Sequence, residues 1–216
     1  MDIRKLDRTA VRETARVLEQ ADIEDWDAPT PCADWTLRRL VAHMAGQHHG
    51  FAAAAAGGGD DLAVWQPAAL GADPLTAYRT AADAVLDAFA RPDVLTREFA
   101  IPEISAGIRF PAPTAIGFHF LDYVVHGWDV ARALGVPLHL DTETAEAALV
   151  IALRVPDGER RIGPAAQFRP ALSAPPGADT LDLVLTTLGR SPGWSAPAAP
   201  ASAPRHRSGQ GDVPAR

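Results

Sequence analysis

One cysteine, Cys32, stands among 216 residues, so no internal disulfide can form and a reducing compartment is expected. Long apolar runs are missing as well: none approaches the roughly 20 residues that span a bilayer. Met1 to Arg8 carry charge with no apolar stretch behind them, unlike a signal peptide. The cytoplasm is therefore the expected location, without a membrane partner. Positive charge is also scarce, with 20 Lys and Arg against 27 Asp and Glu, a formal balance of 20 − 27 = −7. Nucleic acid is not an expected partner, because phosphate binding needs a basic footprint. The cluster Arg205-His206-Arg207 lies in a Pro- and Ser-rich tail and is too short to supply one. A phosphate-binding glycine loop, a serine-nucleophile elbow, a dinucleotide fingerprint and internal repeats are all absent. Gly57-Gly58-Gly59 is explained more simply as the end of a helix.

What remains is ordinary globular composition, 47% hydrophobic and 22% charged, at a length that suits a single buried core. Apolar spacing and end signals predict six helices. The first covers about residues 3–20, with Leu6, Ala10, Thr14, Val17 and Leu18 on one stripe. The turn Thr30-Pro31-Cys32-Ala33-Asp34 offers Asp34 as N-cap for a second helix from Trp35 to about Ala56. Leu37, Leu40, Val41 and Met44 face inward on it. Asp73-Pro74 opens a third helix, whose seam is Leu75, Tyr78, Ala82, Val85 and Phe89. Residues 98–101 and 107–110 read as two short strands of a small hairpin. A fourth helix runs from after Pro113 to Leu134, stopped by Gly135. A fifth begins at Asp141-Thr142-Glu143 and ends near Pro156-Asp157-Gly158, and Asp179 caps a short last one. The pattern is a helical bundle with long connections, one domain over residues 1–194. Residues 195–216 have little to bury and are expected to be disordered.

Chemistry is concentrated on two of these helices. Asp122 and His126 are four apart, so their side chains leave one face about a turn from each other and can reach a single ion. His43 borders the inward stripe of the second helix and is the best-placed third ligand. Two imidazoles and a carboxylate leave an open coordination position, as in catalytic zinc, and the set also suits non-haem iron. Such spacing also arises by chance in surface pairs. His119 and Asp129 share the face of Asp122 and His126. Either is an alternative ligand, and Asp129 can instead accept the free ring N–H of His126 and orient it. The plainer reading of Asp129 is an ion pair with Arg132. His48 and His49 can reach the same cavity, but a partly exposed pair without a ligand role is the simpler expectation. Cys32 is read as a small buried hydrophobe before a nucleophile. Trp35, Trp128 and Trp194 are read as packing.

The stretch from Thr30 to His43, Thr-Pro-Cys-Ala-Asp-Trp-Thr-Leu-Arg-Arg-Leu-Val-Ala-His, resembles the start of the second helix in the mycothiol-dependent maleylpyruvate isomerase-like family. That family belongs to the DinB/YfiT-like group of metal-binding four-helix bundles. Asp122 to Ala133, Asp-Tyr-Val-Val-His-Gly-Trp-Asp-Val-Ala-Arg-Ala, resembles its second metal motif and is the most specific of the matches. Leu188-Gly189-Arg190-Ser191-Pro192-Gly193-Trp194 is similar to the ending of a short actinobacterial subgroup. The resemblance implies an all-α, DinB-like four-helix bundle with extra short helices. It also implies a divalent metal, usually zinc, on His43, Asp122 and His126, with mycothiol as the thiol cosubstrate. Two departures stand out. Asp122 occupies the place of a glutamate in the better-known isomerase. The extra C-terminal α+β domain of larger members, which helps form their substrate site, is not expected in this chain, so substrate identity is not carried over.

The expected activity is therefore isomerisation of, or thiol transfer to, a small electrophile. Asp129 or His119 would handle protons or orient a ligand, and Arg109 or Arg132 could hold a substrate carboxylate. A zinc-water hydrolase or lyase and a non-catalytic metal- or ligand-binding bundle are the alternatives. A monomer or a homodimer is compatible with the sequence.

Overall fold

Asp2, Thr36, Asp73, Asp141 and Asp179 each start a helix by the same device. A side-chain oxygen accepts the backbone N–H of the residue two or three positions on, satisfying a donor that the first turn leaves without a partner. A computed structural model describes residues 2–32, 35–163 and 166–197. The helices so begun are α1 (Ile3–Leu18), α2 (Leu37–Ala56), α3 (Pro74–Ala90), α5 (Thr142–Ala152) and α6 (Thr180–Thr187). The remaining one, α4 (Ala112–Leu134), has no side-chain cap. It grows directly out of a hairpin of β1 (Glu98–Ala100) and β2 (Arg109–Pro111), paired antiparallel with Phe99 opposite Phe110. The N–H of Ala112 bonds to the carbonyl of Arg97 at 2.9 Å, which joins hairpin and helix. Gly57 and Gly135 close α2 and α4 with φ of 95° and 68°, a conformation that favours glycine.

Four helices form the bundle. α1 packs mainly on α4 and α2 mainly on α3, with α2 also against α4 and α1 against α3. Their buried faces carry Val17, Leu18, Leu37, Leu40, Met44, Tyr78, Val85, Ile116, Phe120 and Val124, all at 0% exposure. α5 and α6 pair with each other, and α5 rests on α1 and α4. Gly46 and Gly50 let the loop after α2 lie flat on that helix. A Cβ at Gly46 would stand 2.3 Å from the Gln66 carbonyl oxygen, and one at Gly50 2.2 Å from the Trp65 ring.

The long crossing between α5 and α6 is fastened by Arg161, which is 3% exposed. Its guanidinium donates to the carbonyls of Val155, Pro156, Arg169 and Thr187. Among the described residues no helix is long and apolar enough to cross a membrane.

The expected all-α bundle and hairpin are present, with adjusted boundaries. α2 begins at Leu37 with Thr36 as its cap, while Asp34, the expected cap, lies outside the described residues. β2 occupies 109–111 instead of 107–110, because Gly107 takes a turn with φ of 77°. α4 starts one residue before Pro113, which sits in the first turn where its missing N–H costs nothing. α5 stops at Ala152, short of Pro156. Of the tail from Ser195, residues 198–216 lie outside the described part.

Candidate metal centre

Where α2 and α4 meet, one ligand atom from each of His43, Asp122 and His126 lies within 4.8 Å of the others. Asp122 and His126 come together because α4 is unbroken through both, so the four-residue spacing sets one above the other. Asp122 Oδ1 is 3.5 Å from His126 Nε2. His43 faces them from α2, its ring edge-on to that of His126 with centroids 5.5 Å apart. The Trp35 ring packs against the other side of His43 at 5.0 Å. His126 is buried, while His43 and Asp122 are half-buried, so the cluster has one face toward solvent.

The two imidazoles differ electrostatically. Burial first, and the nearby His126 second, push the pKa of His43 down to about 4. At neutral pH it is an uncharged ring with a lone pair to offer. Burial pushes His126 the same way, but the carboxylates of Asp122 and Asp129 outweigh it and hold its pKa above the ordinary value. His126 Nδ1 lies 2.9 Å from Asp129 Oδ2. A carboxylate only accepts, so in the neutral ring the proton sits on Nδ1 and the Nε2 lone pair points toward Asp122 and His43.

Asp129 is fully buried and bonded on its other side to Arg190. Arg190 Nε donates to Oδ1 at 2.9 Å and Nη2 to Oδ2 at 3.0 Å. Burial acts to raise the Asp129 pKa, and Arg190 and His126 together more than reverse it. A second ligand cluster, Cys32 with His126 and Asp129, meets the same 4.8 Å criterion, yet both Asp129 oxygens are already taken by cationic or N–H donors. Burial, followed by the Asp129 charge, pushes the Cys32 thiol up to about 11. It is protonated at neutral pH and a weak nucleophile.

His119, the other candidate on α4, belongs to a separate group deeper in the bundle. Its Nδ1 is 2.6 Å from Asp7 Oδ1 on α1, and its Nε2 is 3.1 Å from His48 Nδ1 on α2. His48 is fully buried and stacked on Tyr123 at 4.1 Å, which corrects the expectation of a partly exposed His48-His49 pair. Adjacent helical residues point about 100° apart, so one turns in and His49 turns out. Arg132 does not pair with Asp129. It lies over the Trp128 ring and donates to the Trp194 carbonyl. Arg109 pairs with Asp60. The spacing of the sequence assigns no site role to Asp7 or Arg190. Asp7 stands in phase with Ala10 and Thr14 on the buried stripe of α1, a signal that could have found it.

The inner histidines make stability depend on pH. Burial first, then His119 and His49, hold His48 well below its ordinary 6.5. The fold keeps His48 and His43 neutral while the unfolded chain protonates both, so their stabilisation is complete above 6.5 and lost as pH falls below it. His126, with a raised pKa, acts in the window above, where its contribution is complete below 6.5 and lost as pH rises past it. Between 6.5 and about 5 it is protonated in both states, so His43 and His48 leave about two protons net, or a slope approaching about 2.7 kcal/mol per pH unit. The urea midpoint of the metal-free protein should therefore fall between about pH 6.5 and about pH 5. A midpoint that stays flat or rises would contradict this balance.

A family model described as the mycothiol maleylpyruvate isomerase N-terminal domain matches residues 8–131. Two proteins of Mycobacterium tuberculosis, from strains CDC 1551 and H37Rv and both described as uncharacterized, are each 27% identical over 177 residues. The alignment covers 82% of this chain and 91% of each of theirs. The fold is also similar to the crystal structure of a mutant of the mycothiol-dependent maleylpyruvate isomerase, with a TM-score of 0.53 at 14% identity. That match covers 69% of this chain and 66% of the isomerase chain, so the chain spans a little under two thirds of that enzyme's length. Two thirds of α1, all of α2, α3 and the hairpin, and α4 through its metal-motif residues fall inside the matched segment, and the chain belongs to the mycothiol maleylpyruvate isomerase N-terminal domain family.

Proposed function

We propose that this chain holds one divalent metal ion, zinc by its donor set, between His43, Asp122 and His126. We further infer that it uses a small thiol cosubstrate such as mycothiol to isomerise, or transfer the thiol to, a small electrophilic substrate. The observation that carries this is the convergence of two imidazole nitrogens and one carboxylate oxygen from facing helices, in a family named for a mycothiol-using isomerase. The donors fit the ion. Two atoms each about 2.1 Å from a tetrahedral zinc stand about 3.4 Å apart, and Asp122 Oδ1 and His126 Nε2 are separated by 3.5 Å.

Zinc held by three protein ligands supplies a Lewis-acidic open position that favours thiolate over thiol at neutral pH. The protein's own groups prepare for this. Burial keeps His43 unprotonated, and Asp129 keeps the proton of His126 on the nitrogen turned away from the ion. Trp35 covers one flank of His43, leaving approach from the half-buried Asp122 side. The protonated thiol of Cys32 leaves nucleophilic attack to the cosubstrate. Asp122 in place of a glutamate shortens the carboxylate arm by one methylene, so an ion held here would sit closer to α4 or be held more loosely.

Elemental analysis of the purified protein should find about one zinc per chain. Adding mycothiol or a simple thiol to cobalt-substituted protein should then change its visible spectrum as sulfur enters coordination. Normal metal loading with a spectrum indifferent to thiol would defeat the thiol reading, and turnover without any thiol would redirect it to a hydrolase or lyase.

A further inference from the structure

We propose that Arg190 is a positioning residue for the metal centre, acting through Asp129 to set the orientation and tautomer of His126. This rests on the metal reading above. Arg190 lies beyond α6, outside the segment matched by the family model, and reaches back 61 positions in sequence to Asp129.

Its own placement is fixed by backbone. α6 ends in a left-handed turn at Gly189, φ 77°. The Gly189 N–H bonds to the Thr186 carbonyl and the Arg190 N–H to the Leu185 carbonyl at 2.8 Å, a glycine-dependent closure that satisfies the last carbonyls of the helix. Gly189 also packs on Arg169 so closely that a Cβ there would stand 2.5 Å from the Arg169 Cβ. The turn therefore admits little besides glycine, and the next side chain is directed into the protein, where it is 6% exposed.

A guanidinium offering two N–H donors to one carboxylate fixes the plane of that carboxylate as well as its charge. Asp129 Oδ1 takes Arg190 Nε, and Oδ2 is shared between Arg190 Nη2 and His126 Nδ1. With both oxygens engaged, Asp129 cannot turn to join a metal alongside Cys32. His126 is then committed to presenting Nε2 to His43 and Asp122. Of the two overlapping ligand clusters, Arg190 thus selects the one made by α2 and α4.

The test compares wild type with Arg190→Met, using zinc affinity by chelator competition and the tautomer of His126 by 15N NMR of the metal-free protein. At a pH high enough for the ring to be neutral, wild type should show one tautomer, protonated at Nδ1. In Arg190→Met the signal should become a mixture, and zinc affinity should fall about 10- to 100-fold. A folded Arg190→Met with the wild-type tautomer and wild-type zinc affinity would overturn the proposal. If that variant does not fold, Arg190→Lys, which keeps the charge but gives up the two-pronged grip on Asp129, takes its place. A fall of about tenfold or more in zinc affinity supports the proposal, and wild-type affinity overturns it. Should wild type bind no zinc at all, the metal reading fails, while the tautomer measurement still decides what Arg190 does to His126.

Discussion

His126→Ala is expected to empty the metal centre while leaving the bundle folded. Among the described residues His126 is the one common to both candidate ligand clusters, and it links the proposed ligands to the buried pair behind them. Removing an outer partner of a metal site costs about 10- to 100-fold in affinity, and loss of one of three direct protein ligands should exceed that. Stoichiometric zinc should disappear, and thiol-dependent turnover with it. The fold should persist because Asp129 keeps its bonds to Arg190 and the vacated space adjoins half-buried residues that water can reach. His119→Ala, on the same helix, is the control. It breaks the link between Asp7 and His48, so it should lower stability and leave the zinc in place. Zinc retained at wild-type level in His126→Ala would remove the proposed site.

Asp129→Ala should have the largest effect on stability. The substitution strands the Arg190 guanidinium, which is nearly buried and, being an arginine, keeps its proton and cannot relieve the cost by losing it. Breaking a buried ion pair from one side typically costs about 3–5 kcal/mol. For a domain of this size that lowers the melting temperature by about 10 °C. Adding Arg190→Met should recover part of the loss, since the uncompensated charge goes with it. Differential scanning calorimetry on metal-free protein separates this from metal linkage. A single variant within about 2 °C of wild type would mean that the pair contributes little.

The helices were legible because their instructions are local. Three of the observed caps, at Asp73, Asp141 and Asp179, stand directly before or at the first residue of apolar periodicity, and the glycines at 57 and 135 mark ends; at α2 the cap is Thr36, where the local pattern points to Asp34. The cluster of His43, Asp122 and His126 was legible for a related reason. Two members share one helical turn, and the third lies beside an inward stripe. What escaped depends on contacts distant in sequence. Nothing around Arg190 announces a partner 61 residues away, since it follows a short helix and belongs to no periodic face. Asp7 is hidden because a carboxylate on an apolar stripe reads as an interruption until His119 appears 112 residues later. His48 and His49 look alike as a pair, although a helix separates adjacent side chains onto different faces.

Arg161 holds the crossing between α5 and α6 mainly by carbonyl oxygens, with the Asp157 carboxylate 3.5 Å from its Nε. Every amino acid owns that oxygen, proline included, as Pro156 shows. The path of this irregular segment is thus written in a single side chain and in the main chain around it. Positions 155, 156, 169 and 187 can exchange side chains without losing the grip, so the segment that delivers Arg190 has room to drift in sequence while its course through space stays the same.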